Sequence, residues 1–154
     1  MEKLPVAETA MLIRKPVGEV FQAFTDPAIT TRFWFTESSG KLEKGKRVSW
    51  IWSMYNHTSL VDVIDIVPGK KIEITWGPAD KDRTRVEWTF ESFTADTTFV
   101  QITCDGFKGD RQTILKQVAE TTGGFCWVLA GLKAWLEFGI QLNLVADRFP
   151  AGKK

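Results

Sequence analysis

The segment from Gly123 to Phe138 reads as a helix that is apolar around most of its circumference. At about 100° per residue, Cys126, Ala130, Lys133 and Glu137 fall together on one narrow polar face. Phe125, Val128, Leu129, Leu132, Trp135 and Leu136 lie opposite, and Trp127, Ala134 and Phe138 widen the apolar arc to roughly 220°. A surface helix of a globular protein buries a stripe of about 100° or a little more. This one therefore needs a concave partner. Lys133 and Glu137 keep the run short of the ~18 uncharged apolar residues that span a bilayer, so no membrane insertion is expected.

The chain ahead of the helix supplies that partner. Val6 to Arg14 reads as a first strand that stops at Pro16. Val17, Val20, Phe21 and Phe24 then recur at helical spacing. Asp26-Pro27 restarts a second short helix, with Asp26 as N-cap and Pro27 in the first turn, running to about Phe33 or Trp34. Five further runs read as strands. Val48, Trp50, Trp52 and Met54 alternate with polar or smaller residues; so do Ile72, Ile74 and Trp76, then Val86, Trp88 and Phe90, then Val100, Ile102 and Cys104. The remaining run covers His57 to Val67. Pro68-Gly69, Gly77-Pro78, a polar loop over 79–83 and Ala95-Asp96 are turns, which predicts an antiparallel meander. The segment 110–122 is polar and helical at its start, Gly123-Gly124 predicts a break before the long helix, and Gly139 ends it. With no linker or repeat, 1–154 is read as a single domain. The expected fold is α+β: a curved antiparallel six-stranded sheet wrapped around a long C-terminal helix, with two short helices after the first strand, a helix-grip arrangement.

Composition narrows the function classes. Seven Trp and eleven Phe against one Tyr suit a dry interior or an apolar pocket. A net charge of +1 lacks the basic concentration of a nucleic-acid binder. The short cluster Lys44, Lys46 and Arg47 is interrupted and reads as a solvated turn. Two cysteines, Cys104 and Cys126, are too few to frame a disulfide scaffold or a metal site. The first residues, with Glu2, Lys3, Pro5 and Glu8, lack the apolar core of a signal peptide, so a cytoplasmic protein with reduced thiols is expected. Cys126 falls near the expected helix start, where its pKa could be lowered, although an inert thiol is the simpler reading. There is no phosphate-binding glycine loop, nucleophile elbow or zinc-protease motif, and no cofactor or metal is expected.

Four segments carry a family resemblance. Residues 16–27, the pair Phe33-Trp34, residues 66–76 and Gly123-Gly124-Phe125 with Leu129 and Leu132 together resemble the START-like (SRPBCC) superfamily, which includes the birch-pollen-allergen fold. They are most similar to its branch of Hsp90-ATPase-activator-like and polyketide-cyclase-like proteins. Phe125 stands where that family often has Trp. The resemblance spans nearly the whole chain and implies an apolar cavity between the curved sheet and the last helix. Lipid carriers, hormone receptors, cyclases and co-chaperone domains share this fold, so it implies no single activity.

Trp50, Trp52, Trp76 and Trp88 alternate onto the presumed concave face, with Val128, Gly131 and Trp135 opposite them on the helix. Trp34 joins this set as the eighth candidate ligand-binding residue. Gly131 in mid-helix costs about 1 kcal/mol relative to Ala, which asks for either open space or close packing there. The reading is a module that binds a small hydrophobic molecule, lipid-like or aromatic, rather than an enzyme. A cyclase- or aromatase-type enzyme using the same cavity is the alternative, and needs an inward polar group from among Tyr55, His57 and Arg85. Glu73, Glu87 and Asp105 are expected to face solvent, and Asp62 and Asp65 opposite sides unless a bulge intervenes. A chaperone-associated interaction domain is implied only by the resemblance. No chaperone partner is expected, since the chain has no room for the second domain that eukaryotic activators carry. The flank of Trp127, Ala134 and Phe138 is left to pack on the tail or on a second copy in a homodimer.

Overall fold

Alternation of buried with less buried side chains, clearest in β3, β5 and β7, builds the sheet of this protein, here a computed structural model describing residues 4–150. Strands β1 (Ala7–Ile13), β2 (Glu37–Ser38), β3 (Arg47–Trp52), β4 (His57–Val67), β5 (Lys71–Gly77), β6 (Thr84–Thr94) and β7 (Thr97–Asp105) form one antiparallel sheet in the order β1-β7-β6-β5-β4-β3-β2. The expected sheet had six strands; the seventh, β2, is a two-residue edge piece too short to show periodicity. Register sets the inner rows. Trp50 lies opposite Ser59, Val61 opposite Trp76, Ile72 opposite Trp88, and Trp88 opposite Ile102.

Two short helices, α1 (Val17–Thr25) and α2 (Pro27–Thr30), follow β1. Asp26 caps α2 by accepting from the Ala28 amide at 3.0 Å, with Pro27 in the first turn. The buried Thr30 hydroxyl donates to the Ala23 and Asp26 carbonyls, fixing the V between the helices and stopping α2 earlier than Phe33.

The long helix α3 (Arg111–Phe138) runs through Gly123-Gly124 without a break, contrary to the expected kink. Each glycine costs about 1 kcal/mol of helix propensity. Burial of Phe125, Val128, Leu129 and Leu132 against the sheet offsets it. Asp110 caps the N-terminus by accepting from the Thr113 amide at 2.8 Å, and Gly139 closes the other end at φ 66°. Cys126 is consequently mid-helix, so no helix N-terminus acts on it. A final short helix, α4 (Leu144–Arg148), turns back along α3.

The polar face of α3 turns toward β1, with Cys126 still exposed and Glu137 nearly covered. This is an edge strand whose outer backbone groups lack a neighbouring strand. Lys133 Nζ donates to the Leu12 carbonyl at 2.9 Å and to Glu137 at 2.7 Å. Glu137 in turn accepts from the Arg14 amide at 3.0 Å, and Cys126 Sγ lies 3.2 Å from Thr9 Oγ1. Burial pushes the Glu137 carboxyl up, but the hydrogen bonds from Lys133 and the Arg14 amide outweigh it and hold the pKa below the usual value. A lowered folded-state pKa gives stability that is present above the unfolded value, near 4.3, and is lost as pH falls through the folded one. We predict that Glu137→Ala costs about 2 kcal/mol near pH 7, the worth of hydrogen bonds to a charged group. The gap from the parent protein, read from urea midpoints, should shrink as the pH is lowered below about 4.

The outer face of the sheet is an ion-pair lattice. A bulge between Val63 and Asp65 turns Asp62 and Asp65 to the same outer side. They are separately neutralised: Arg47 and Arg83 hold Asp62, and Lys44 and Lys71 hold Asp65. Hydrogen bonding from Arg47 keeps the Asp62 carboxyl below its usual pKa. Glu73 and Glu87 face each other across β5 and β6, and Arg85 reaches both as well as Asp105.

Candidate functional site

Most of the concave face is filled. Trp50 is 1% exposed and stacks on Phe35 with centroids 4.7 Å apart. Trp34, delivered by the turn after α2, is the hub of the aromatic cluster. Its ring lies 4.9 Å from Trp50, 5.8 Å from Phe125, 6.0 Å from Trp76 and 6.1 Å from Trp88. Edge-to-face and tilted pairs of this kind each contribute about 0.5–1.5 kcal/mol beyond burial. Trp88 is fully buried, with its indole N–H unpartnered among the surrounding rings.

Space remains at one end of the grip, beyond the filled interior. An apolar groove of about 270 Å³ opens between α3 and the sheet. Trp34, Trp76, Phe125 and Val128 make its apolar wall, and Gly124 leaves a gap in the helix where an added Cβ would meet nothing within 4 Å. Trp76 is held in place by its indole N–H, which donates to Thr84 Oγ1 at 2.9 Å, and by stacking on Phe125 at 5.9 Å. Trp76 and Tyr55 also border a second hollow of about 370 Å³, together with Trp52, His57 and Ser59.

The tail covers the groove. Val145, Arg148 and Phe149 line it from α4 and the residue after. Tyr55, in a single 3-10 turn over Ser53–Tyr55, donates its hydroxyl hydrogen bond to the Val145 carbonyl and meets the Phe149 ring edge-on at 6.2 Å. Trp127 borders the same groove and the hollow beside Leu144, so this flank of α3 turns toward the tail. Phe138, from the same flank, stays 70% exposed.

Of the eight residues expected to bind ligand, Trp34, Trp76 and Val128 line the groove and Trp52 borders the neighbouring hollow. Trp50 and Trp88 are core. Gly131 is not beside open space: a Cβ there would sit 3.1 Å from Phe33 Cβ and 3.3 Å from its carbonyl oxygen. Close packing is the reason for this glycine. Trp135 leaves the grip on another side, where the Arg32 guanidinium lies 5.3 Å from its ring centroid. Sequence reasoning missed Gly124, Phe125 and the tail residues as groove-lining groups. The Gly123-Gly124 pair was the available signal, because two glycines in an otherwise apolar helix ask for a reason.

The polar candidates separate in the same way. Arg85 is committed to the outer ion lattice. His57 lies opposite Trp52 at the rim and is exposed, with its ring 5.7 Å from that indole. Burial pushes the Cys104 thiol up to about 11, which keeps it protonated and unreactive. Among the described residues, no cluster of three or more His, Cys, Asp or Glu side chains is placed to hold a metal ion, and no helix is long and apolar enough to cross a membrane.

Solved structures share this architecture. A Staphylococcus saprophyticus protein is 28% identical with a TM-score of 0.77, over 90% of this chain and 96% of that one. DynU16, a putative protein of the dynemicin biosynthetic locus, is 19% identical with a TM-score of 0.77, over 88% of this chain and 48% of that one. The Aha1 dimer from Colwellia psychrerythraea is 18% identical with a TM-score of 0.75, over 88% of this chain and 98% of that one. No curated protein matches the sequence. The family model described as Activator of Hsp90 ATPase homolog 1-like protein matches residues 14–137, from the end of β1 almost to the end of α3. The chain belongs to the Activator of Hsp90 ATPase homolog 1-like protein family.

Proposed function

We propose that this protein binds a small hydrophobic molecule, aromatic or lipid-like, in the groove between α3 and the open end of the sheet. The observation that carries this reading is the apolar wall of Trp34, Trp76, Phe125 and Val128 beside a helix position, Gly124, with no side chain. Apolar surface left unfilled beside a well-packed aromatic core is where a flat ligand gains burial without displacing protein. Binding is favoured over catalysis because, of the three candidate inward polar groups, Arg85 faces out, His57 is exposed and the Tyr55 hydroxyl is engaged by Val145. Glu120 also lines the groove, as an exposed carboxylate at its polar end.

Isothermal titration calorimetry with 2-propoxynaphthalene tests the reading. The parent protein should bind it. Gly124→Leu should weaken binding at least about tenfold by filling the groove, while helix propensity keeps its thermal midpoint from falling. Absence of binding by the parent protein, or unchanged affinity in Gly124→Leu, would falsify the assignment.

A further inference from the structure

The apolar groove is one limb of a larger opening. A polar hollow of about 550 Å³ adjoins it, and Glu120 and Thr121 of α3 line both. The polar limb lies against the turn after β7, where Gly106 and Gly109 take φ of 89° and 123°. Asp82, Thr84, Lys108 and Gln117 complete its polar border. The two limbs therefore meet on one face of α3: Phe125 and Val128 border the apolar one, and Gln117 and Glu120, one to three turns earlier, border the polar one.

One atom in the polar limb is out of balance. The side-chain oxygen of Gln117 is withdrawn from solvent and has no hydrogen-bond partner. A buried acceptor left unmade is costly, and native structures keep few of them. Gln117 borders the hollow, so a turn of its amide toward an occupant that donates a hydrogen bond would satisfy the oxygen. Glu120, an exposed carboxylate at the junction of the limbs, offers a second acceptor. Acceptors at this junction select a donor-bearing head group over a hydrocarbon one.

We infer that the ligand is amphipathic. Its flat apolar body lies in the groove, and a hydroxyl-bearing head enters the polar limb and donates to Gln117 and Glu120. The inference rests on the proposed binding function and adds the chemistry of the ligand's polar end.

A matched pair of probes separates the two ideas: 2-propoxynaphthalene and 3-(2-naphthyloxy)propane-1,2-diol, which differ only by two hydroxyls. An apolar groove acting alone would prefer the propyl ether, the more hydrophobic of the two. We expect the diol to bind about fivefold more tightly, the worth of one well-made hydrogen bond. Gln117→Leu should abolish that advantage, leave affinity for the ether within about twofold, and unfold no earlier than the parent protein, since it removes an unsatisfied polar atom. Equal or tighter binding of the ether by the parent protein overturns the inference while leaving the groove intact. A diol preference that survives in Gln117→Leu, with Glu120→Gln equally without effect, also overturns it. Failure of both probes to bind removes the groove reading and this inference with it.

Discussion

Trp50→Ala should lose about 3–5 kcal/mol of stability, the range for deleting a buried large aromatic side chain. In a domain of this size that lowers the thermal midpoint by about 10 °C, measurable by calorimetry or circular dichroism. The reason is local and complete burial. Trp50 stacks on Phe35, packs against the hub residue Trp34 and faces the small side chain of Ser59 across the strands, so its removal strips contacts from several core rings at once. Trp76→Ala is the informative companion. Trp76 is only half-buried and lines the groove, so its loss should cost less stability and weaken binding of a naphthalene probe instead. If the two variants are destabilised equally, the division of these indoles into core and groove is wrong.

Gly131→Leu is the second large effect. Gly131 is buried in α3 with Phe33 Cβ at 3.1 Å and the Phe33 carbonyl oxygen at 3.3 Å from the position of an added Cβ. One of those atoms belongs to the backbone of the turn that delivers Trp34, so it cannot swing aside. Overpacking of this kind costs about 1–3 kcal/mol, and a leucine at this contact should reach about 3. Gly131→Ala is the control: a gain of about 1 kcal/mol in helix propensity opposes a contact a few tenths of an ångström too short, leaving the variant near neutral. Urea denaturation with an unchanged m-value checks both. A stable Gly131→Leu would mean that α3 and the α2 turn are not in contact as described.

The strands and long helix were legible because their signal is periodic and local. Val86, Trp88 and Phe90 alternate with Arg85, Glu87 and Thr89 in the chain itself, and the same alternation separates the core from the outer ion lattice. The family match over residues 14–137 spans these same periodic elements. One reading failed where tertiary burial overrode a local rule, and two others were completed by distant partners. Gly123-Gly124 implied a break, yet tertiary burial on the C-terminal side holds the helix continuous. The periodicity marked Lys133 and Glu137 as a polar stripe without naming its partner, which is the edge of β1 more than a hundred residues away. For Gly131 the sequence left open space and close packing as alternatives, and its contact with Phe33 is close packing, while Trp135 lies beside Arg32.

By itself the sequence determined that a wide apolar helix would be gripped by a Trp-bearing antiparallel sheet, because period-two and period-3.6 burial leave few other ways to cover both surfaces. It could not assign work among the indoles. Trp50, Trp52, Trp76 and Trp88 alternate inward on their strands in the same way, and whether an inward ring fills the core or borders a groove depends on what stands opposite. Only the tertiary structure decided that Trp34 is the hub, that Trp50 and Trp88 are sealed beneath it, and that Trp76 with Gly124 and the returning tail frames the opening. Packing at that end is set by contacts between residues far apart in the chain, and no local periodicity records them.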